Sequence, residues 1–175
     1  MSGHNKWSKI KHKKAASDAK KSQIFSKIVR LITVEARLTK GDINSPGLKA
    51  VIEKAKSVNM PSENIDRAIK KAGECPENLE SVTYEAYGPD GIGLIIEALT
   101  DNRNRTSSEI KFILSKNNAS LGALGSVSWG FTKKGSTWTP NITIDLSDEN
   151  LDKLSKLVEA LEENDDVQEV FTNAS

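Results

Sequence analysis

Residues 82–106 read VTYEAYGPDGIGLIIEALTDNRNRT, and their periodicity decides the fold. Upstream, apolar residues recur every three or four positions. Here the period drops to two in VTYEAYG and IGLIIEAL, on either side of Pro89-Asp90-Gly91, which predicts two strands joined by a hairpin turn. Gly91 and Gly93 lack the strand–GxGxxG–helix context of a phosphate loop and read as turn and strand-entry residues. After the second strand, Thr106 and Glu109 have capping-box spacing, so Thr106 is expected to cap a helix carrying Ile110, Ile113 and Leu114 inward. A strand is expected at VSWGFT, then a polar connection, KKGSTWTPN, and another strand at ITIDL. SDENLDKLSKLVEALEEN has Leu151, Leu154, Leu157, Val158 and Leu161 on one helical face, and DVQEVFTN closes the series as a strand. From the second strand onward the order is β-α-β-β-α-β. That pattern implies a ferredoxin-like α/β sandwich with an antiparallel sheet and one extra strand, spanning 80–175. The fold hosts many functions and by itself assigns none.

Working back from the hairpin, GECPENLES reads as a linker and residues 1–75 as a basic helical domain. Ile24, Phe25, Ile28, Val29, Ile32 and Ala36 define an amphipathic helix from about Ala15 or Ser22 to Leu38, stopped at Gly41 in KGDINSPG. Leu48, Val51, Ile52, Ala55 and Val58 line a second helix, broken at Asn59-Met60-Pro61. Pro61 fits the first turn of a third helix, whose buried face is Ile65, Ala68, Ile69 and Ala72 and which ends at Gly73 and Pro76. The class is therefore α+β: a three-helix domain followed by the α/β sandwich.

The net charge of +1 conceals a division. Residues 1–75 hold 17 Lys/Arg and 7 Asp/Glu, whereas residues 76–175 hold 8 and 17. The first thirty residues carry nine positive charges against the one of Asp18, with His4, Trp7 and His12 set among the lysines. Such a cluster suits a polyanion; the plainer alternative is a solvated basic tail. Two modules with different tasks are expected. No apolar run approaches the roughly 20 residues that span a bilayer, and the N-terminus has no secretory h-region. It is rich in lysine rather than arginine and runs straight into helix, which argues against a mitochondrial presequence. The single cysteine, Cys75, excludes an intrachain disulfide and a CxxC motif. A reducing compartment is the expectation: cytoplasm, or mitochondrial matrix in a eukaryote.

Catalytic constellations are scarce. His4 and His12 have no metal-ligand spacing, and there is no P-loop or GxSxG. No enzyme activity, cofactor, metal or small-molecule substrate is expected. The loop Thr100–Thr106, TDNRNRT, is the sharper candidate: Asn102, Arg103 and Arg105 at a helix N-terminus could offer donors to phosphate. Equally, Asp101 and the asparagines could cap the helix while the arginines bridge to acids. Trp129 is expected as half-buried core, Trp138 as exposed, and Trp7 either as a stacking residue or docked on its own bundle.

The chain resembles the YebC family in GHNKWSKIKHKKAASDAKK, NMPSENIDRAIKKA, VTYEAYGPDGIGLIIEALTDNRNRT and GSVSW, and again in DLSDENLDKLSKLVEALEENDDVQEVFTNA. That family includes probable transcriptional regulatory proteins of bacteria and the mitochondrial translational activator of cytochrome c oxidase subunit I. The resemblance implies a non-enzymatic factor that regulates transcription through DNA, or acts on translation by contacting ribosomal RNA and relieving stalls at difficult sequences. Carried over residue by residue, it makes His4, Lys6, Trp7, Lys9, Lys11, His12, Lys13, Lys14, Lys20 and Lys21 the expected nucleic-acid contacts, with Asn102, Arg103 and Arg105 in the family's most recognisable loop. Family members usually carry a third α/β domain after GSVSW; here only residues 133–141 join the flanking segments.

Three readings follow. The leading one is a translation factor that binds ribosomal RNA, and through it the ribosome, by shape and phosphate. The second is a DNA-binding transcriptional regulator, although the helices show no evident recognition face set for base edges. The third is a protein-interaction adaptor acting through the acidic α/β domain. None involves a membrane.

Overall fold

The structure, a computed structural model, describes residues 6–13, 18–72 and 78–175; in its helices the side chains of Ser8, Lys11, His12, Lys13, Asp18 and Ala19 are outside that description. The chain forms two compact units, one from residues 16–79 and one from residues 1–15 together with 80–175.

The first unit is a bundle of α2 (Asp18–Leu38), α3 (Pro46–Ser57) and α4 (Ser62–Lys71). Apolar residues at helical spacing bury one stripe of each helix, so Ile28, Ile32, Ala36, Leu48, Ala55, Met60, Ile65, Ala68 and Ala72 meet in one core. Two of the ends are closed alike. Lys40 and Asn59 take left-handed conformations (φ 52° and 59°), letting the N–H of Gly41 reach the carbonyl of Ala36 at 2.7 Å and that of Met60 reach Ala55 at 3.0 Å. Pro61 flanks α4 rather than entering it; its carbonyl accepts from the N–H groups of Asn64 and Ile65.

The second unit is built on the expected hairpin. β1 (Glu80–Tyr87) and β2 (Gly93–Thr100) pair antiparallel, Tyr84 opposite Ile96, through a turn at Pro89–Gly91 where Asp90 and Gly91 both have positive φ. The sheet is completed by β3 (Ser120–Leu121) beside β1 and by β6 (Val167–Thr172) beside β2, giving the order β3-β1-β2-β6, antiparallel at every pairing. The additional N-terminal strand thus sits inside the sheet rather than on its edge. Alternation along β2 sends Leu94 and Ile96 to one face. There they join Ile110 and Leu114 of α5 (Arg103–Lys116) and Leu151, Leu154, Leu157 and Leu161 of α6 (Asp148–Glu162). Ile95 faces the other way, onto Val127, Phe131 and Phe171. The α+β class, the antiparallel sheet and the helical domain are as expected.

Two strand assignments differ. VSWGFT is not extended throughout: Ser128–Gly130 is a 3-10 turn, and β4 runs only over Phe131–Lys134. The chain curls because a buried carboxylate draws successive backbone N–H groups toward it, as described below. ITIDL is no strand; its link to the end of the chain is one parallel bridge between Ile144 and Ala174. Its place is taken by β5 (Thr137–Pro140), inside the segment expected as a polar connection. β4 and β5 form a separate two-stranded ribbon, Phe131 opposite Pro140, turning at Gly135 (φ 62°). Trp138 seals it against the sheet.

The packing of the first helix crosses the expected boundary between a helical domain over 1–75 and the α/β domain. α1 (Lys6–Lys13) belongs with the α/β unit, because Trp7 is 8 % exposed within the core that contains Leu151 and Leu154, with Ile10 packed beside it. An indole buries more apolar surface than any other side chain, and that burial outweighs the helix's affinity for its sequence neighbours. Truncating Trp7 to alanine should cost about 3–5 kcal/mol. Urea unfolding of the full chain checks this, and a near-neutral Trp7→Ala variant would show that the docking of α1 carries no weight.

Candidate nucleic-acid interface

α1 is short and polar, and it is held by two apolar residues one turn apart, Trp7 and Ile10. Lys6 and Lys9 are exposed. The Lys6 ammonium lies 3.1 Å from a carboxylate oxygen of Asp148, but both groups are largely in water, so the pair fixes little. Trp7 is therefore an anchor and not a stacking surface. Lys11, His12 and Lys13 lie on the same helix, their side chains outside the described residues, as are His4 and Lys14 entirely. Lys20 and Lys21 lie on α2, in the other unit. Over residues 18–72 that unit holds 12 Lys/Arg against 6 Asp/Glu.

The loop Thr100–Thr106 comes out as a structural clamp. Asn102 is the helix cap, its side-chain oxygen accepting from the N–H of Arg105 at 3.0 Å. The capping role expected of Thr106 falls to Asn102 because α5 already begins at Arg103. Thr106 lies inside the helix and donates to a carboxylate oxygen of Asp166 at 2.7 Å. Asp166, 5 % exposed, also accepts from the Arg105 guanidinium at 2.7 Å, which reaches Asp101 at 2.9 Å as well. These partners, Asp166 first, hold Arg105 above the ordinary guanidinium range. Arg103 pairs with Glu80 at 2.8 Å. The Arg105 donors are turned to the buried Asp166, while Arg103 and Glu80 meet largely in water and fix as little as Lys6 and Asp148; the loop ties the start of α5 to the entry of β6.

A third cluster escaped sequence reasoning. Glu85, 4 % exposed, points from β1 into the face opposite the helices. Its carboxylate accepts from the N–H groups of Gly125 (2.7 Å), Val127 (2.6 Å) and Ser128 (2.8 Å). Burial pushes this carboxyl up, but the three donors outweigh burial and hold it below the ordinary glutamate range. Close packing follows: a Cβ on Gly93 would lie 2.7 Å from the Val127 side chain. The captured loop carries Trp129 outward at 74 % exposure, reversing the expectation for the two tryptophans. Trp138 is half-buried, its indole N–H donating to Glu97 and its ring facing the Lys133 ammonium at 4.8 Å. A glutamate at a strand position facing apolar neighbours was the available signal; its partners, forty residues away, were not. Among the described residues, no group of His, Cys, Asp or Glu is placed to hold a metal, and no helix is long and apolar enough to cross a membrane. Cys75 lies outside the described residues.

Comparison with known proteins places this architecture. A family profile described as the TACO1/YebC protein N-terminal domain matches residues 5–74. Another, described as the TACO1/YebC second and third domain, matches residues 79–137 and 136–174. The two pieces meet at the turn of the β4–β5 ribbon. A probable transcriptional regulatory protein of Fervidobacterium nodosum is 40 % identical over 235 aligned positions, covering 99 % of this chain and 93 % of that protein. A probable transcriptional regulatory protein of Petrotoga mobilis is 46 % identical, covering 98 % of this chain and 70 % of that one. Among solved structures, the conserved hypothetical protein Aq1575 of Aquifex aeolicus superposes with a TM-score of 0.81 at 35 % identity, with 95 % of each chain covered.

The Glu85 carboxylate gives a pH signature. Because its folded value is lowered, its contribution is present above the ordinary glutamate range, near 4.3, and is lost as pH falls through the folded value. Glu85→Gln should cost about 1–3 kcal/mol at pH 7, and the gap to the unsubstituted chain should narrow toward pH 3. Urea titrations at the two pH values measure it; a gap that stays constant would remove the ionised acceptor from the account.

Proposed function

The chain belongs to the TACO1/YebC family, and we propose that it is a non-enzymatic, nucleic-acid-binding regulator of gene expression that acts as a translation factor contacting ribosomal RNA. The observation that carries the reading is the placement of positive charge. Lysines of α1 stand on a helix locked by Trp7 and Ile10, and the three-helix unit carries a further excess over residues 18–72. Lysine ammonium groups neutralise phosphate without reading sequence, which suits a factor that recognises the shape of folded RNA. The α/β unit supplies the rigid mount. It holds Arg105 on the buried Asp166, so the main contact is assigned to the lysines, with the exposed Arg103 at the edge of the 100–106 loop. A second reading, a DNA-binding transcriptional regulator, is favoured by the names its relatives carry.

Ribosome co-sedimentation, with binding to large-subunit RNA and to promoter duplex measured across salt, tests the two readings. If phosphate contacts dominate, log K should fall with log[salt] with a slope on the order of −4 to −7. Replacing Lys9, Lys11, Lys13 and Lys14 by alanine should flatten that slope by about 0.7–0.9 for each lysine that touches phosphate. An unchanged slope would free the N-terminal segment of the role. Sequence-dependent retention of promoter DNA with no ribosome association in low salt would favour the transcriptional reading.

A further inference from the structure

The lysine contacts leave Trp129 without a task. Trp129 is 74 % exposed, yet its surroundings are fixed. Its indole N–H donates to the Ser126 carbonyl at 2.8 Å, and the Tyr87 hydroxyl donates to the same carbonyl at 2.9 Å. The N–H groups of Gly125, Val127 and Ser128 are held by the buried Glu85 carboxylate, and that of Gly130 donates to Val127 at 3.0 Å. A large ring left in water on so tightly held a loop has little freedom left to lose on binding. Its polar atom is already satisfied, so what it offers a ligand is its π-face.

We infer that Trp129 is a stacking platform for an unpaired base of single-stranded RNA, the Glu85-bound loop serving to preorganise it. Charge supports this occupant. From Asn117 to Ile144 the chain holds no Asp or Glu and two lysines, of which Lys133 is paired with Glu97 at 3.1 Å, in a half that carries 8 Lys/Arg against 17 Asp/Glu. Lys134 is exposed on the ribbon that follows the tryptophan. Access supports it as well: Gly125 and Gly130 flank the segment, and a Cβ built on either would meet nothing within 4 Å. Trp129 itself is 74 % exposed, so most of its surface is open to solvent. Stacking on an exposed aromatic is tolerant of sequence, as a factor acting on many RNAs requires. The inference rests on the RNA-binding reading and adds a base contact to its phosphate contacts.

Anisotropy of labelled oligouridylate and of a labelled RNA duplex, titrated with the full chain, tests it. Trp129→Ala should weaken oligouridylate binding by about 5- to 150-fold, the span of one lost base–aromatic stack. Duplex affinity and salt slope should not change, since both report phosphate contacts. Trp129→Phe should keep most of the affinity, and far-UV circular dichroism with thermal midpoints establishes that both variants are folded. Leu124 and Ile142 are also exposed, so each variant is run by light scattering. A self-association of the unsubstituted chain that Trp129→Ala abolishes would overturn the RNA assignment in favour of a second copy. Oligouridylate binding by Trp129→Ala equal to that of the unsubstituted chain, or equal losses on oligouridylate and duplex, would overturn stacking while leaving the phosphate contacts standing. Binding of neither RNA by the unsubstituted chain would overturn both.

Discussion

Three backbone N–H groups on one buried carboxylate set the course of the second half of this protein. Glu85 collects Gly125, Val127 and Ser128, and everything from the end of β3 to the ribbon is arranged around that contact. An ionised carboxylate taken out of water is costly unless its lone pairs are filled, and backbone amides fill them without adding a counter-charge. Because the donors belong to nearly consecutive residues, the chain must curl around the oxygen atoms. That curl ends the extended run, seats Val127 and Phe131 on Ile95, and aims β4 back across the sheet. The helix-covered face is closed by ordinary apolar packing of α5 and α6. The opposite face depends on a charge.

This division explains what was legible in the sequence. Periodicity carries packing, so the hairpin at 82–99, the stripe Leu151–Leu161 and the three-helix bundle could be read residue by residue. Their partners are the neighbours that the period itself specifies. VSWGFT alternates well enough to be a strand and fails to be one because Glu85, forty residues upstream, competes for its amides. The same holds for ITIDL. Its β-branched residues have strand propensity, but Ile144 finds one bridge partner at Ala174 while TWTP, read as a connection, pairs with β4. Propensity is a half-buried-surface preference, and the segment that pairs with β4 is the one whose Trp138 packs on Ile95, Val127, Phe131 and Phe171.

The 100–106 loop shows the same dependence on a distant partner. TDNRNRT shows donors beside a helix start, and nothing local says whether they meet phosphate or carboxylate. Asp166 decides it from the far end of α6, taking Arg105 and Thr106 together at 2.7 Å each. Trp7 is the mirror case. Among so many lysines it reads as an interfacial aromatic, yet it is consumed as an anchor, and the charges around it are what remain outside. An aromatic in a basic segment can serve binding in two ways: by touching the ligand, or by fixing the scaffold from which the lysines touch it. Burial distinguishes them, and burial is a property of the partner surface, which the segment does not encode.

The ribbon bears on how a family with a longer chain and this shorter one can share a fold. The alignment with the Fervidobacterium nodosum relative runs over 235 positions against the 175 residues here, and the second family profile breaks at residues 136–137. That point is the tip of the β4–β5 hairpin, where Gly135 turns the chain with positive φ. The ends of β4 and β5 are already paired across the ribbon, so chain can be added or omitted at the tip without disturbing the register below it. Loop closure costs grow slowly with length, which makes such a tip a tolerant place for a large difference. The pairs that hold the ribbon to the sheet, Trp138 and Lys133 on Glu97, lie below the turn. The second sheet face therefore stays closed by contacts made within this chain, and the Glu85-bound loop that presents Trp129 sits at the base of the ribbon, on the side away from the length change.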